Sequence, residues 1–262
     1  MTLGTVFNKT LKDFRTNFRP IFKLILFFGI IPQFIFLVFS LIFLFNNNGA
    51  RQFVLNPSSI IEAGGSYFYS SYFIISILFA FVLALFQLFI SSSLIGVSVK
   101  KSKFNYKDAV QVGKKYYWKY ILLSIILSLY SIGLFILFVI PFIIFIVYWS
   151  FSSYVLLDEG KGINASLKRS RHIVKGRWWK VVGYILVVFL IYLAISLVAG
   201  SIVFPTTFIY SLAKNANSPV SFTFYLIHSF LGFVSSSIEK LIAIPFLIFF
   251  FKNFYFEMKK KR

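Results

Sequence analysis

The most constraining feature of this sequence is residues 120–157, a stretch of 38 residues without a single charged side chain. A helix rises about 1.5 Å per residue, so it needs only about 20 apolar residues to cross the hydrocarbon core of a bilayer. The stretch is therefore long enough for two membrane spans and should form a helical hairpin. Gly133 and Pro141 are its helix breakers, and we expect the turn between them.

Other apolar runs of similar character predict four further spans, which makes six. Their predicted bounds are residues 22–45, 67–97, 181–204 and 221–251, with polar loops at 46–66 and 214–219. The apolar share of 59% and the mean hydropathy of +0.84 lie far outside the range of soluble domains. The predicted fold class is all-α: a polytopic membrane helix bundle, with residues 1–262 forming a single integral membrane domain.

The charge distribution predicts how these spans are oriented. The chain has 27 Lys and Arg against seven carboxylates, a formal net charge of +20. Of the 27 basic residues, 24 fall in residues 1–23, 100–119, 158–180 and 252–262, which six spans would place on one side. Positive residues remain cytoplasmic in multi-span proteins. We therefore expect both termini in the cytoplasm and the protein in a bacterial cell membrane, an origin that the heavy use of Lys, Asn, Ile and Phe also favours.

The basic segments contain predicted surface helices. Residues 3–21 carry apolar side chains at helical spacing with Lys and Arg between them, which is typical of an amphipathic helix in the interface. Residues 11–23, 109–119 and 167–180 resemble one another, because each runs through basic positions to an aromatic cluster and then enters a span. This pattern predicts three copies of a surface helix followed by a transmembrane pair. We expect residues 252–262 to be a basic tail.

One segment also resembles a known family. The sequence YVLLDEG is followed by GINASLKRS and VKGRWW. This pattern resembles the membrane domain found beside glycerophosphoryl diester phosphodiesterases, and related uncharacterised six-span bacterial membrane proteins. The matching residues are Asp158, Glu159, Gly160, Gly162, Ala165, Leu167, Lys168, Arg169, Ser170, Lys175, Gly176, Trp178 and Trp179. The resemblance implies a six-span membrane domain, but the phosphodiesterase is a separate soluble barrel for which this sequence has no room.

Asp158, Glu159 and Gly160 form a candidate motif turn between a span and the basic segment. Adjacent carboxylates point to different faces of a helix, so they make a poor acid/base pair. We expect a helix exit at Gly160, with the two acids pairing with nearby Arg and Lys side chains. A proton relay or a substrate contact is the alternative.

A set of basic residues is the candidate contact surface for anionic lipid headgroups or for a membrane or peripheral protein partner. Each cation near an anionic membrane contributes about 1 kcal/mol to binding. Topology determination alone would produce the same residues, and a defined phosphate site is the narrower alternative. We expect no nucleic acid partner, because no soluble module presents the charge. The candidates are Lys168, Arg169, Arg171, Lys175, Arg177, Lys114 and Lys115.

Glu239 and Lys240 are the candidate intramembrane charges. An ionisable side chain inside a span is costly and marks function by default. The favoured alternative is that the last helix begins near Glu239, since acidic residues suit a helix start. His172 and His228 have no partner ligand three or four residues away, and the chain has no cysteine, so we expect no metal and no cofactor.

These patterns predict a non-enzymatic membrane protein with a scaffold, partner-binding or envelope-maintenance role. The alternative is a carrier of a lipid or another amphipathic substrate. The two functions differ in a structural feature. A carrier should contain a polar cavity, whereas a scaffold could be packed solid with Phe and Leu. Candidate cavity residues are Gln33, Gln87, Ser124, Ser128 and Glu239.

Overall fold

The computed structural model describes residues 3–46, 71–215 and 222–260, and within these ranges it contains helices and no strand. The predicted all-α class is confirmed. The helices are α1 (Leu3–Thr16), α2 (Phe18–Ile25), α3 (Ile31–Asn46), α4 (Ser71–Lys100), α5 (Tyr106–Leu137), α6 (Val139–Trp149), α7 (Ser152–Glu159), α8 (Ile163–Val174), α9 (Trp178–Gly200), α10 (Phe204–Asn215) and α11 (Phe222–Lys260), with a π-helical turn at Leu26–Ile30 between α2 and α3. The predicted loop at 46–66 lies outside the described residues except for Asn46, and so do residues 216–219 of the second loop.

Six helical segments in the described part of the chain are long and apolar enough to cross a membrane, as predicted. They are Phe18–Asn46, Ile74–Lys100, Tyr106–Leu137, Val139–Glu159, Trp178–Gly200 and Phe222–Lys260. The charge-free stretch forms the expected hairpin, with its turn at Phe138, where the backbone is extended (φ −159°, ψ 127°). Ring contacts pair Phe135 with Phe142 and Tyr130 with Trp149, so the two arms run antiparallel.

The first helix ends earlier than the apolar spacing predicts. It stops at Thr16, because Asn17 uses its buried side chain to hold a distant loop. The Asn17 amide donates to the Ser102 carbonyl over 2.9 Å, and its side-chain oxygen accepts from the Phe104 N–H over 3.1 Å. The residues after the break form α2, the first part of the span Phe18–Asn46.

The last helix corrects two predictions. It runs without interruption from Phe222 to Lys260, so no helix begins near Glu239. Residues 252–260 are helical and largely buried, not a basic tail. Pro245 is accommodated inside this helix. The end of α11 is therefore part of the protein core, although its sequence is rich in charge.

The described residues form two compact units. Unit 1 consists of those in Met1–Ile25, Leu88–Leu193 and Leu241–Arg262, and unit 2 of those in Leu26–Gln87 and Ala194–Lys240. All four basic segments belong to unit 1. Its core is aromatic: the rings of Tyr184 and Phe254 stack at 3.9 Å between centroids, and Phe151 meets Phe254 edge-on at 5.3 Å.

Helices α4 and α5 approach each other closely within unit 1. A Cβ atom added to Gly113 would lie 2.0 Å from the Ser93 hydroxyl oxygen and 3.1 Å from the Phe89 ring. Only a residue without a side chain fits at this crossing. The crossing lies in the segment that was predicted to be the second surface helix. Residues 109–119 are instead the first part of the continuous α5, whereas α1 and α8 are separate helices.

Candidate functional site

The predicted motif turn brings two carboxylates to the end of α7. The helix ends at Gly160, whose positive φ of +65° suits a residue without a Cβ atom. Asp158 accepts hydrogen bonds from the Lys259 ammonium at 2.7 Å and from the Tyr255 hydroxyl at 2.9 Å. The helix exit is thus where the sequence predicts it, and the first acid already has two partners.

Glu159 is paired as well. Its carboxylate lies 2.6 Å from the Lys161 ammonium, 3.1 Å from the Lys259 ammonium and 3.5 Å from the Arg169 guanidinium. Lys161 and Arg169 are the nearby cations that the sequence predicts as partners. Lys259 comes from α11, a hundred residues later, and both acids reach it although they are adjacent in α7. The arrangement binds α7 to α11 electrostatically.

Two further ion pairs hold the same end of α11, and sequence reasoning missed both. Lys252 donates to Asp13 of α1 at 2.6 Å, with the Lys252 side chain only 7% exposed. Glu257, 3% exposed, accepts from Lys180 of α9 at 2.9 Å. The partners are 239 and 77 residues apart, so no local spacing could reveal them. The sequence signal that could have indicated these ion pairs was the presence of Lys252 and Glu257 in the segment predicted to be a basic tail.

The candidate basic surface divides into two groups. Arg169 pairs with Glu159, and Arg177 donates to the Met258 carbonyl over 3.3 Å, so both are half-buried and help to hold unit 1 together. The others have exposed side chains. This exposed group consists of Lys114, Lys115, Lys168, Arg171 and Lys175.

Glu239 and Lys240 lie in the middle of α11, within unit 2. Glu239 accepts a hydrogen bond from the Ser196 hydroxyl of α9 at 2.7 Å. Lys240 donates to the side-chain oxygen of Gln33, and the Gln33 amide donates to the Ser236 hydroxyl. Each of the two adjacent charges in this apolar helix thus has an uncharged polar side chain as a hydrogen-bond partner.

Glu239 also lines a cavity of about 630 Å³ in unit 2. The wall is mainly apolar, with hydroxyl groups and one carboxylate. Of the predicted cavity residues, Glu239 is in the wall and Gln33 is bonded to Ser236 in the wall, while Gln87, Ser124 and Ser128 do not contribute. The lining residues are Ser196, Leu197, Gly200, Ser201, Val203, Phe204, Thr207, Gly232, Ser235, Ser236 and Glu239.

No residue near this cavity suggests a metal. His228 lies 3.0 Å from the Thr206 hydroxyl through Nδ1 and stacks on the Tyr210 ring. Among the described residues, no three His, Asp or Glu side chains come together in a way that could hold a metal ion. The chemistry available at the cavity is that of one carboxylate and several hydroxyls, which suits binding of a polar group.

The six spans and the helical architecture define a multi-pass membrane protein of the all-α class. No family model matches the chain, and neither a curated protein nor a solved structure does. The resemblance to the membrane domain found beside glycerophosphoryl diester phosphodiesterases stays a prediction based on residues 158–179.

Proposed function

We propose that this protein is a carrier for a lipid or another amphipathic molecule, whose polar group binds at Glu239. The observation that carries the proposal is the carboxylate of Glu239 in the wall of a cavity of about 630 Å³, in the middle of an apolar helix. A pocket that contains a carboxylate supports a carrier over a bundle packed solid with Phe and Leu. The proposed activity is binding and movement, without a chemical reaction.

The cost of placing a carboxylate in a membrane span supports a binding role. An acidic side chain at the centre of a span costs about 2.5–3.5 kcal/mol on insertion scales. The hydrogen-bond partner that the structure gives Glu239 is the Ser196 hydroxyl, and the adjacent Lys240 ammonium is a nearby cation. A carboxylate has about four acceptor positions, so further hydrogen bonds can form. A ligand with an ammonium group or with several hydrogen-bond donors would supply the missing interactions.

The size and lining of the cavity fit such a ligand. Small-molecule sites usually measure about 300–1,000 Å³, with apolar walls and a few polar groups that orient the ligand. Here the polar groups are the Glu239 carboxylate and the hydroxyls of Ser196, Ser201, Thr207, Ser235 and Ser236. The polar end of the ligand would lie against these groups, and its chain against Leu197, Val203 and Phe204.

The test is native mass spectrometry of the full-length protein extracted from vesicles of phosphatidylethanolamine and phosphatidylglycerol. We expect wild-type protein to retain phosphatidylethanolamine, whose ammonium group suits Glu239, and Glu239→Gln to lose most of it. Gly232→Leu should lose it too, because a side chain at Gly232 meets no atom within 4 Å and would fill the cavity. Gly133→Leu, at an equally open helical glycine outside the cavity, is the matched control. Retention unchanged in both cavity variants contradicts the proposal.

Unit 1 supports the second candidate function, a scaffold or partner-binding role in envelope maintenance. Its core is filled with aromatic side chains, and the cations of its exposed group face outward. Such a surface suits anionic headgroups or an acidic protein partner. Crosslinking from Lys114 and Lys168 in cells tests this candidate: a recurrent protein adduct supports it, and adducts with lipid alone count against it.

We also propose that the four basic segments of unit 1 face the cytoplasm of a bacterial cell, together with both termini. The support is that all four basic segments belong to unit 1, where the Lys252–Asp13 and Lys180–Glu257 pairs join three of them. The chain has no cysteine, so single cysteines can be introduced and labelled from outside. Cysteines at Lys114 and Lys168 should both resist an impermeant reagent in intact cells. Labelling of one and protection of the other would overturn the topology.

A further inference from the structure

Unit 1 contains a second binding site that is separate from the Glu239 cavity. We infer that a groove between α6 and the start of α9 binds one anionic phospholipid from the surrounding bilayer. The acyl chain lies along isoleucines of α6, and the phosphate binds Arg171 of α8. The groove has a volume of about 500 Å³ and is lined by Ile140, Ile143, Ile144, Tyr148, Trp178 and Trp179.

The floor of the groove is an apolar stripe on one face of α6. Ile140, Ile143 and Ile144 are three and four residues apart, so they point in the same direction, and Tyr148 continues the stripe one turn later. The distance from Ile140 to Tyr148 along the helix is about 12 Å. Ile140 is 73% exposed, so the stripe is open to a chain from outside.

Two tryptophans form the wall of the groove. The Trp178 indole N–H donates to the Ile144 carbonyl over 3.5 Å, which orients this ring across the stripe. Trp179 packs edge-on against Trp178 at 4.8 Å between centroids and is 80% exposed. Tryptophan is enriched at the level of the lipid headgroups, where one edge is apolar and the other is hydrated.

A fixed cation marks the tyrosine end of the groove. The Ser170 hydroxyl donates to the Tyr148 carbonyl over 2.7 Å and accepts from the Phe151 N–H over 3.2 Å, which holds α8 against the junction of α6 and α7. The next residue, Arg171, therefore places its guanidinium carbon 5.6 Å from the centroid of the Tyr148 ring. Contact with the ring face leaves the N–H donors of Arg171 available for a phosphate.

The positive charge of Arg171 favours an anionic headgroup in the groove. A cationic headgroup would be repelled by Arg171, and the acidic residues of the neighbouring turn, Asp158 and Glu159, already pair with lysines. The guanidinium group of arginine binds two phosphate oxygens at once. In a headgroup without net charge, a second group with a positive charge compensates the phosphate. An apolar stripe, a tryptophan wall and an arginine beside Tyr148 therefore fit a phospholipid with net negative charge.

The test compares phosphatidylglycerol with phosphatidylcholine on the full-length protein. After extraction from vesicles containing equal amounts of the two lipids, native mass spectrometry should show several-fold preferential retention of phosphatidylglycerol. Arg171→Gln should abolish this preference. Lys107→Gln, which removes an exposed cation of α5 outside the candidate contact surface, should preserve it. Equal retention of both lipids by wild-type protein, or an equal loss in the two variants, would overturn the inference.

Fluorescence locates the bound lipid. Replacing Trp118 and Trp149 by Phe leaves Trp178 and Trp179 as reporters. Brominated phosphatidylglycerol should quench them more strongly than brominated phosphatidylcholine, and Arg171→Gln should remove the difference. If this background does not fold, the same comparison is made between wild-type protein and Trp178→Phe/Trp179→Phe. Quenching by the two lipids to the same extent contradicts the site. Glu239→Gln should leave the preference intact, which separates this site from the proposed carrier cavity.

Discussion

Charged side chains of the same kinds have different partners in the two units. In unit 1 each acidic residue at the end of α7 has cationic partners, and Lys252 is buried against Asp13. In unit 2, Glu239 has one hydroxyl partner and faces a cavity. A fully paired charge fixes the positions of helices, whereas a partly satisfied charge beside empty space is available to a ligand. Four sets of substitutions test this difference.

The largest effect should come from Lys252→Ala. The change leaves Asp13, whose side chain is 13% exposed, without its cation and with the Asn253 amide as a remaining donor. Breaking a buried ion pair costs about 3–5 kcal/mol. The measurement is the free energy of unfolding in mixed detergent micelles. The double variant Asp13→Leu/Lys252→Leu should regain much of the loss, because an apolar pair has no charge to desolvate. A double variant as unstable as Lys252→Ala would show that packing, not pairing, holds the two helices.

Glycine substitutions compare the packing of the two units. Gly113→Ala should destabilise unit 1 by about 1–3 kcal/mol, since the new methyl group overlaps the Ser93 hydroxyl. Gly232→Ala, in the cavity wall of unit 2, should be neutral or stabilising by up to about 1 kcal/mol, because alanine favours helix and the site is open. The measurement is thermal unfolding of the two variants under the same conditions. Similar losses in both would remove the contrast in packing.

Lys259→Gln should have an intermediate effect. Glutamine can still donate a hydrogen bond to one acid but carries no charge for Asp158 and Glu159, so we expect a loss of about 1–2 kcal/mol. The loss should shrink when Asp158→Asn is added, because one uncompensated charge is then removed. This double-mutant cycle is measured by chemical unfolding. Strictly additive losses would indicate that Lys259 and Asp158 act independently.

The smallest change in stability should follow Glu239→Gln. The new amide oxygen can accept the Ser196 hydrogen bond, so the free energy of unfolding should change by less than about 1 kcal/mol. Ligand retention should nevertheless fall. A destabilisation as large as that of Lys252→Ala would place Glu239 with the structural charges of unit 1 and remove the distinction drawn between the units.

The sequence predicted what depends on local pattern. Six spans follow from apolar length, and the hairpin turn near Phe138 follows from the helix breakers Gly133 and Pro141. The exit at Gly160 was predicted because a left-handed residue ends many helices. In each case the determining residues are neighbours in the chain.

Long-range contacts escaped prediction. Glu239 and Lys240 resembled a helix start because charges normally interrupt a span, but Ser196 and Gln33, from other helices, satisfy them in place. The charges near Lys252 resembled a solvated tail because their partners lie far away in the sequence. The cavity and the lipid groove depend on the same kind of tertiary contact, so composition alone could name Glu239 and Arg171 but not their surroundings.

The pairing of Asp13 with Lys252 also has a consequence for biogenesis. Helix α1 emerges from the ribosome 239 residues before its partner, so unit 1 cannot close while the intervening spans are being inserted. During that interval we expect the apolar face of α1 to lie on the bilayer surface. Contacts of such high sequence separation form late and slow the approach to the native state. A nascent chain that ends before α11 would therefore expose acidic side chains without their cations from α11. Quality-control proteases could use these side chains to distinguish incomplete molecules from finished ones.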